Sequence, residues 1–231
     1  MGGIVLDECI VNPTFQNADY WFSEWNTIAE LKCLSENYFD RANFSPSLSR
    51  KYNSWIERGL VPPLNAKTSV VDLRSVPRQC AEEVIQPLKR KLESSTIRKA
   101  NRQIRETREY LGAPSAKGLL LLVNDGNYAL PPAMVRHLVS RILKSQHRCI
   151  NGVVHFSVNE AISVPGVGVP ALFWAEWGFP DRKRVDANFL EALRAAWFQH
   201  HAKLSQGDVY ELVTKKGFDL FEETRFVDPG F

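Results

Sequence analysis

Residues 17–34 read NADYWFSEWNTIAELKCL. Two apolar runs, ADYWF and TIAELKCL, flank the polar tetrapeptide SEWN at 23–26, which is the pattern of two short strands joined by a tight turn. Side chains alternate between the faces of a strand, so Ile28, Glu30, Lys32 and Leu34 share one face and Ala29, Leu31 and Cys33 share the other. Glu30 and Lys32 therefore stand side by side between apolar neighbours. Asp19 belongs to the first strand, from which a carboxylate can approach Glu30 across the ladder. Charges in such a setting are costly unless they are paired or hold a cation. The hairpin is thus an element of a sheet and a candidate site at once.

The rest of the chain supplies the sheet's partners. It has 231 residues, 44% hydrophobic and 24% charged, a globular balance that leaves room for one compact domain over 1–231. No apolar run approaches the roughly 20 residues of a membrane helix, the longest being GLLLLV at 118–123. The start MGGIVLDECIV lacks the organisation of a signal peptide. Cys9, Cys33, Cys80 and Cys149 show no CxxC pairing, which points to reduced thiols and a cytoplasmic setting rather than a zinc ribbon or a disulfide framework.

GIVLDECIV reads as a strand ahead of the hairpin. Residues 35–95, broken by Pro46, Pro62, Pro63, Pro77 and Pro87, read as a mostly helical insertion after the third strand. In TIRKANRQIRETREYL, residues 96–111, the apolar positions Ile97, Ala100, Ile104 and Leu111 recur at helical spacing, with Gly112 and Pro114 as the stop. Next come a strand KGLLLLVND, a helix LPPAMVRHLVSRIL, a strand NGVVHFSVN, a further strand within VPALFWAEWGF, and a helix along Phe189, Leu193, Ala196, Trp197 and His200. Alternation of this kind predicts an α/β fold, a central mixed β-sheet flanked by helices with parallel βαβ units. Net charge is +3, but Lys89, Arg90, Lys91, Arg98, Lys99, Arg102, Arg105 and Arg108 concentrate it in one stretch, where a polyanion could be steered.

Two carboxylates brought together raise each other's pKa unless a cation lies between them, and carboxylates with a backbone carbonyl suit Mg²⁺ or Mn²⁺. An acid on one strand, a turn, then acid, any residue and lysine on the next resembles the PD-(D/E)xK superfamily of restriction-endonuclease-like nucleases. The resemblance covers the hairpin and the middle of the chain. It implies that Asp19 and Glu30 bind the metal with the carbonyl of Leu31, and that Lys32 is catalytic. From the helix that follows, it implies that a glutamine or lysine joins the site, with Gln103 and Lys99, one turn apart, as the candidates. Lys99, Arg102 and Arg105 are the candidate phosphate contacts beside it. Ala18 stands where the motif has proline, and Glu8 or Asp7 is the candidate for the additional acid that many members carry near their N-terminus. The implied activity is metal-dependent hydrolysis of phosphodiester bonds, of DNA by the family's habit, leaving 5′-phosphate ends. A homodimer is compatible with it, and no membrane is involved.

The letters themselves are weak evidence, since an acid followed two places later by lysine occurs twice. The second copy, PDRK at 180–183, lies in the polar run GFPDRKRVD without apolar alternation and reads as a loop. NDGN at 124–127 ends the long buried strand, where open α/β sheets often bind ligands, although a tight turn accounts for it equally. His200 and His201 are consecutive on a helix, about 100° apart, and cannot face one metal. PGVGV at 165–169 precedes no helix and is not a phosphate loop. Two alternatives stay open: a catalytically inactive nucleic-acid- or protein-binding module on the same fold, and an α/β enzyme acting at NDGN.

Overall fold

A computed structural model describes residues 2–10, 13–35, 41–63, 72–128, 130–158, 161–163, 171–205 and 224–227. The PGVGV segment and most of the tail beyond 205 lie outside them. Its centre is a six-stranded sheet. In chain order the strands are β1 (Ile4–Val5), β2 (Tyr20–Phe22), β3 (Thr27–Ser35), β4 (Lys117–Asp125), β5 (Gly152–Ser157) and, after a short β6 (Ala161–Ser163), β7 (Trp174–Gly178). Their spatial order is β1-β2-β3-β4-β5-β7, while β6 pairs with β8 (Arg225–Val227) in a separate ribbon. The pairs β1–β2, β2–β3 and β5–β7 are antiparallel, and β3–β4 and β4–β5 are parallel. The sheet is therefore mixed, as the alternation of strand and helix patterns predicts.

The parallel crossovers carry the helices. Between β3 and β4 lie α2 (Arg41–Glu57), α3 (Arg78–Leu92) and α4 (Arg98–Tyr110), and between β4 and β5 lies α5 (Pro132–Ser145). The first two fall in the stretch expected to be a helical insertion. Helix α3 does not stop before α4: a wide π-type turn, Glu93–Ile97, joins them with helical dihedrals at both ends. One face of the sheet, with Ile28, Leu34, Leu120, Leu122 and Val153, packs against Trp55, Leu88, Ile97, Ile104 and Leu138 from these helices. The opposite face, with Ala29, Leu119, Leu121, Val154 and Phe156, is covered by Phe189, Leu190, Leu193 and Trp197 of α6 (Ala187–Ser205). The result is three layers, helix on sheet on helix. Among the described residues no helix is long and apolar enough to cross a membrane.

Three expectations are corrected. GIVLDECIV is not one strand: after Val5 the chain closes a single helical turn, α1 (Leu6–Cys9), in which Ile10 N–H bonds to Leu6 O at 2.9 Å. The reason is that β2 gives β1 only two rungs. In α6, Ala196 and His200 are exposed, because the stripe that meets the sheet follows Phe189, Leu190, Leu193 and Trp197. In the basic stretch, Arg108 faces inward and donates to Cys149 O at 2.8 Å and Asn151 Oδ1 at 2.9 Å. It fastens α4 to the β5 approach, and burial lowers its pKa.

Both motif-like runs make contacts that hold the fold together. Within PDRK, Asp181 pairs with Arg148, and Arg182 donates to the carbonyls of Leu143, Gln146, His147 and Ile150. These are carbonyls of the last turn of α5 and the turn beyond it, groups that a helix end leaves without intrahelical donors. In NDGN, Asn124 Nδ2 donates to Asn127 O at 3.1 Å and Asn127 Nδ2 to Ser35 O at 3.2 Å, with Gly126 at φ 79°. The turn ties the ends of β3 and β4 together.

Candidate active site

The hairpin register settles which side chains meet. Tyr20 pairs with Ala29, Trp21 with Ile28 and Phe22 with Thr27, which sets Asp19 opposite Glu30 at the next position. The turn between them is tight because Asn26 adopts the left-handed conformation, φ 45° and ψ 49°, a region asparagine tolerates better than most residues. Asp19 Oδ2 accepts the N–H of Leu31 at 2.6 Å. A strand residue's N–H and C=O point to the same side, so the Leu31 carbonyl also lies on this edge, past the last rung of the β2–β3 ladder. Asp19, Glu30 and the Leu31 main chain thus converge.

Glu30 is fully buried, on the face that carries Ile28 and Leu34. Its Oε1 accepts from Lys32 Nζ. Its Oε2 is buried with no hydrogen-bond donor. Burial pushes the Glu30 pKa up to about 8; the Lys32 hydrogen bond opposes the rise, and the charge of Asp19 adds to it. The same pair of carboxylates, after burial, raises the pKa of Tyr20. The Lys32 side chain keeps 23% of its surface exposed, so solvent reaches the site from the lysine side.

Helix α4 contributes the fourth member. Gln103 is buried, accepts from Lys32 Nζ through Oε1 at 2.9 Å and donates from Nε2 to Asn17 O at 2.8 Å. These two bonds fix which way round the amide lies, since Nε2 must face a carbonyl and Oε1 an ammonium. Asn17 in turn donates to Asp7 Oδ1 at 2.8 Å. A chain of polar contacts therefore runs Glu30, Lys32, Gln103, Asn17, Asp7. Glu8 is exposed on α1, and among the described residues no group of three or more His, Cys, Asp or Glu side chains is placed to hold an ion. The donor set is two carboxylates and a carbonyl.

Asp19, Glu30, Lys32 and Gln103 are brought together, and Leu31 presents its main chain to them. Lys99, Arg102 and Arg105 are exposed on α4 and stay outside this hydrogen-bond chain. Arg102 reaches Gln16 Oε1 at 3.1 Å, next to the site. Arg105 is engaged by Glu106 at 3.3 Å and Glu109 at 3.9 Å. Two participants escape sequence reasoning, Asn17 and Thr107. The latter accepts the Ala18 N–H at 2.8 Å, and its signal in the sequence is a hydroxyl in the apolar stripe of α4. The chain has no significant match among family models, curated proteins or solved structures.

Proposed function

We propose that this protein is a metal-dependent phosphodiesterase acting on nucleic acid, DNA by analogy with the PD-(D/E)xK nucleases that its hairpin resembles. The observation that supports this most is the buried, donor-less Oε2 of Glu30 beside the carboxylate of Asp19. Left alone, the pair favours a retained proton; a divalent cation offsets the same charge. The ligands are hard oxygens, which fit Mg²⁺ or Mn²⁺ rather than a softer ion. Asp19, Glu30 and the Leu31 carbonyl would hold it. When bound, such an ion supplies Lewis-acid polarisation of the phosphodiester and a nucleophile from water.

The chain's own residues do the rest. Lys32, held between Glu30 and Gln103, presents a cation to the charge that develops on the attacked phosphate. Gln103 restrains that ammonium. Arg102, exposed and bonded to Gln16 beside Asn17, would contact the phosphate backbone, with Lys99 next to it on α4.

Plasmid cleavage in Mg²⁺ by the wild type, Asp19→Asn, Glu30→Gln and Lys32→Ala tests the reading. Each variant is expected to lose about 10²-fold or more of the rate. Equal cleavage by all four proteins overturns it. No cleavage by any of them, together with salt-dependent DNA binding that ignores Mg²⁺, favours the inactive binding module.

A further inference from the structure

The cross-strand ladder ends one residue short of Asp19, since its last rung is Tyr20 with Ala29. A carboxylate that shares a cation with Glu30 must nevertheless be held to a fraction of an ångström. Its own Oδ2 bond to Leu31 fixes the side chain relative to β3, and its carbonyl accepts from Leu6 N–H at 2.9 Å on the β1 side. The chain entering Asp19 is held by the Asn17 side chain, which donates to Asp7 Oδ1 and Ala18 O, and by two contacts from α4. Ala18 is wholly buried, and its N–H would be an orphan donor there if Thr107 Oγ1 did not accept it at 2.8 Å. One turn earlier on the same stripe, Gln103 donates to Asn17 O.

Thr107 has no exposed surface and shares its stripe with Ala100 and Ile104. Valine has the same shape and buries no hydroxyl, so packing alone does not ask for threonine here. We infer that Thr107 is a positioning residue: by accepting the Ala18 N–H it sets the reach of Asp19 toward Glu30, and with it the affinity of the site for a divalent cation. This rests on the metal-site reading above. The contact carries the helix that bears Gln103 into the geometry of the acid pair, so α4 orders both sides of the site.

The test uses the full chain with Mn²⁺ as the probe. Its dissociation constant is measured by calorimetry for the wild type, Thr107→Val, Thr107→Ser and Asp19→Asn, with a metal-free melting temperature for each. Thr107→Val is expected to weaken Mn²⁺ binding by about 10-fold or more, as changes to the residues behind a metal's ligands commonly do, with Thr107→Ser within about threefold of the wild type. A Thr107→Val protein that melts lower but binds Mn²⁺ as tightly as the wild type overturns the inference, because threonine then serves stability alone. If valine prevents folding, Thr107→Ala is read by the same criterion. A wild type whose Mn²⁺ binding equals that of Asp19→Asn overturns the metal-site reading itself, an outcome separate from an unchanged constant in Thr107→Val alone.

Discussion

Glu30 shows at the scale of one residue how an unfavourable placement marks a candidate site. A carboxylate with no exposed surface, one oxygen on Lys32 and the other without a donor, is poorly matched to an apolar sheet face. Its raised pKa expresses that mismatch, and a neighbouring acid increases it. Perturbed groups of this kind concentrate at functional sites. His155 is the instructive contrast, as deeply buried but two strands away from Lys32, in register with it across Leu122. It sits on β5 between Leu122 and Ala175, its ring T-shaped to that of Phe173 with centroids 4.9 Å apart. Burial depresses its pKa to about 3 from an ordinary 6.5. The unfolded chain therefore takes up a proton below about pH 6.5 that the folded protein refuses until about pH 3. Stability from His155 is complete above pH 6.5 and is lost as pH falls through that window. Urea unfolding at pH 8 and pH 4.5 should show a smaller loss on acidification in His155→Leu than in the wild type; parallel losses would contradict the assignment.

At the scale of elements, the long helix from Arg78 to Tyr110 and strand β4 decide how closely the site's two halves approach. The π-type turn at Glu93–Ile97 joins α3 to α4 without a break, and Glu93 there meets His147 Nε2 at 3.2 Å. Turns of this type often accompany functional sites, and here the helix beyond it presents Gln103 and Thr107 to the residues around Asp19. Strand β4 lies under α4 because position 118 has no side chain. A Cβ there would stand 2.0 Å from Cys149 O and 2.8 Å from Ile104 Cγ2. Both distances are too short to accommodate, and the first partner is backbone. Gly118→Ala should therefore lower stability by roughly 1–3 kcal/mol, or more if the β5 approach cannot shift. Chemical denaturation checks the value, and an unchanged midpoint would show that the contact yields.

At the scale of the whole molecule, the three layers put the acid pair where the antiparallel edge of the sheet meets its parallel centre. The exposed cations of α4 lie alongside. Arg105 is balanced by Glu106 and Glu109 and Arg108 faces inward, while Arg98, Lys99 and Arg102 stay exposed; of these, Lys99 and Arg102 are the two proposed to meet a polyanion. Replacing both by alanine should weaken DNA binding across sequences and reduce the slope of log affinity against log salt by about 1 to 2. A slope equal to the wild type's would place the DNA elsewhere. The sequence alone determined the alternation that sets Glu30 and Lys32 on one face, the tight turn at Asn26, the apolar stripe of α4 and the order of strands and helices that makes a mixed sheet. Each of these depends on contacts a few residues apart. The inward turn of Arg108, the balancing of Arg105, the bond from Lys32 to Gln103 and that from Ala18 to Thr107 were decided by the tertiary structure. They join residues brought together across the fold or select one of several solvent-facing rotamers, and no local period encodes that choice. Asp19 belongs to both accounts: the hairpin pattern places it opposite Glu30, while the contacts from α4 and β1 hold it there beyond the end of its strand.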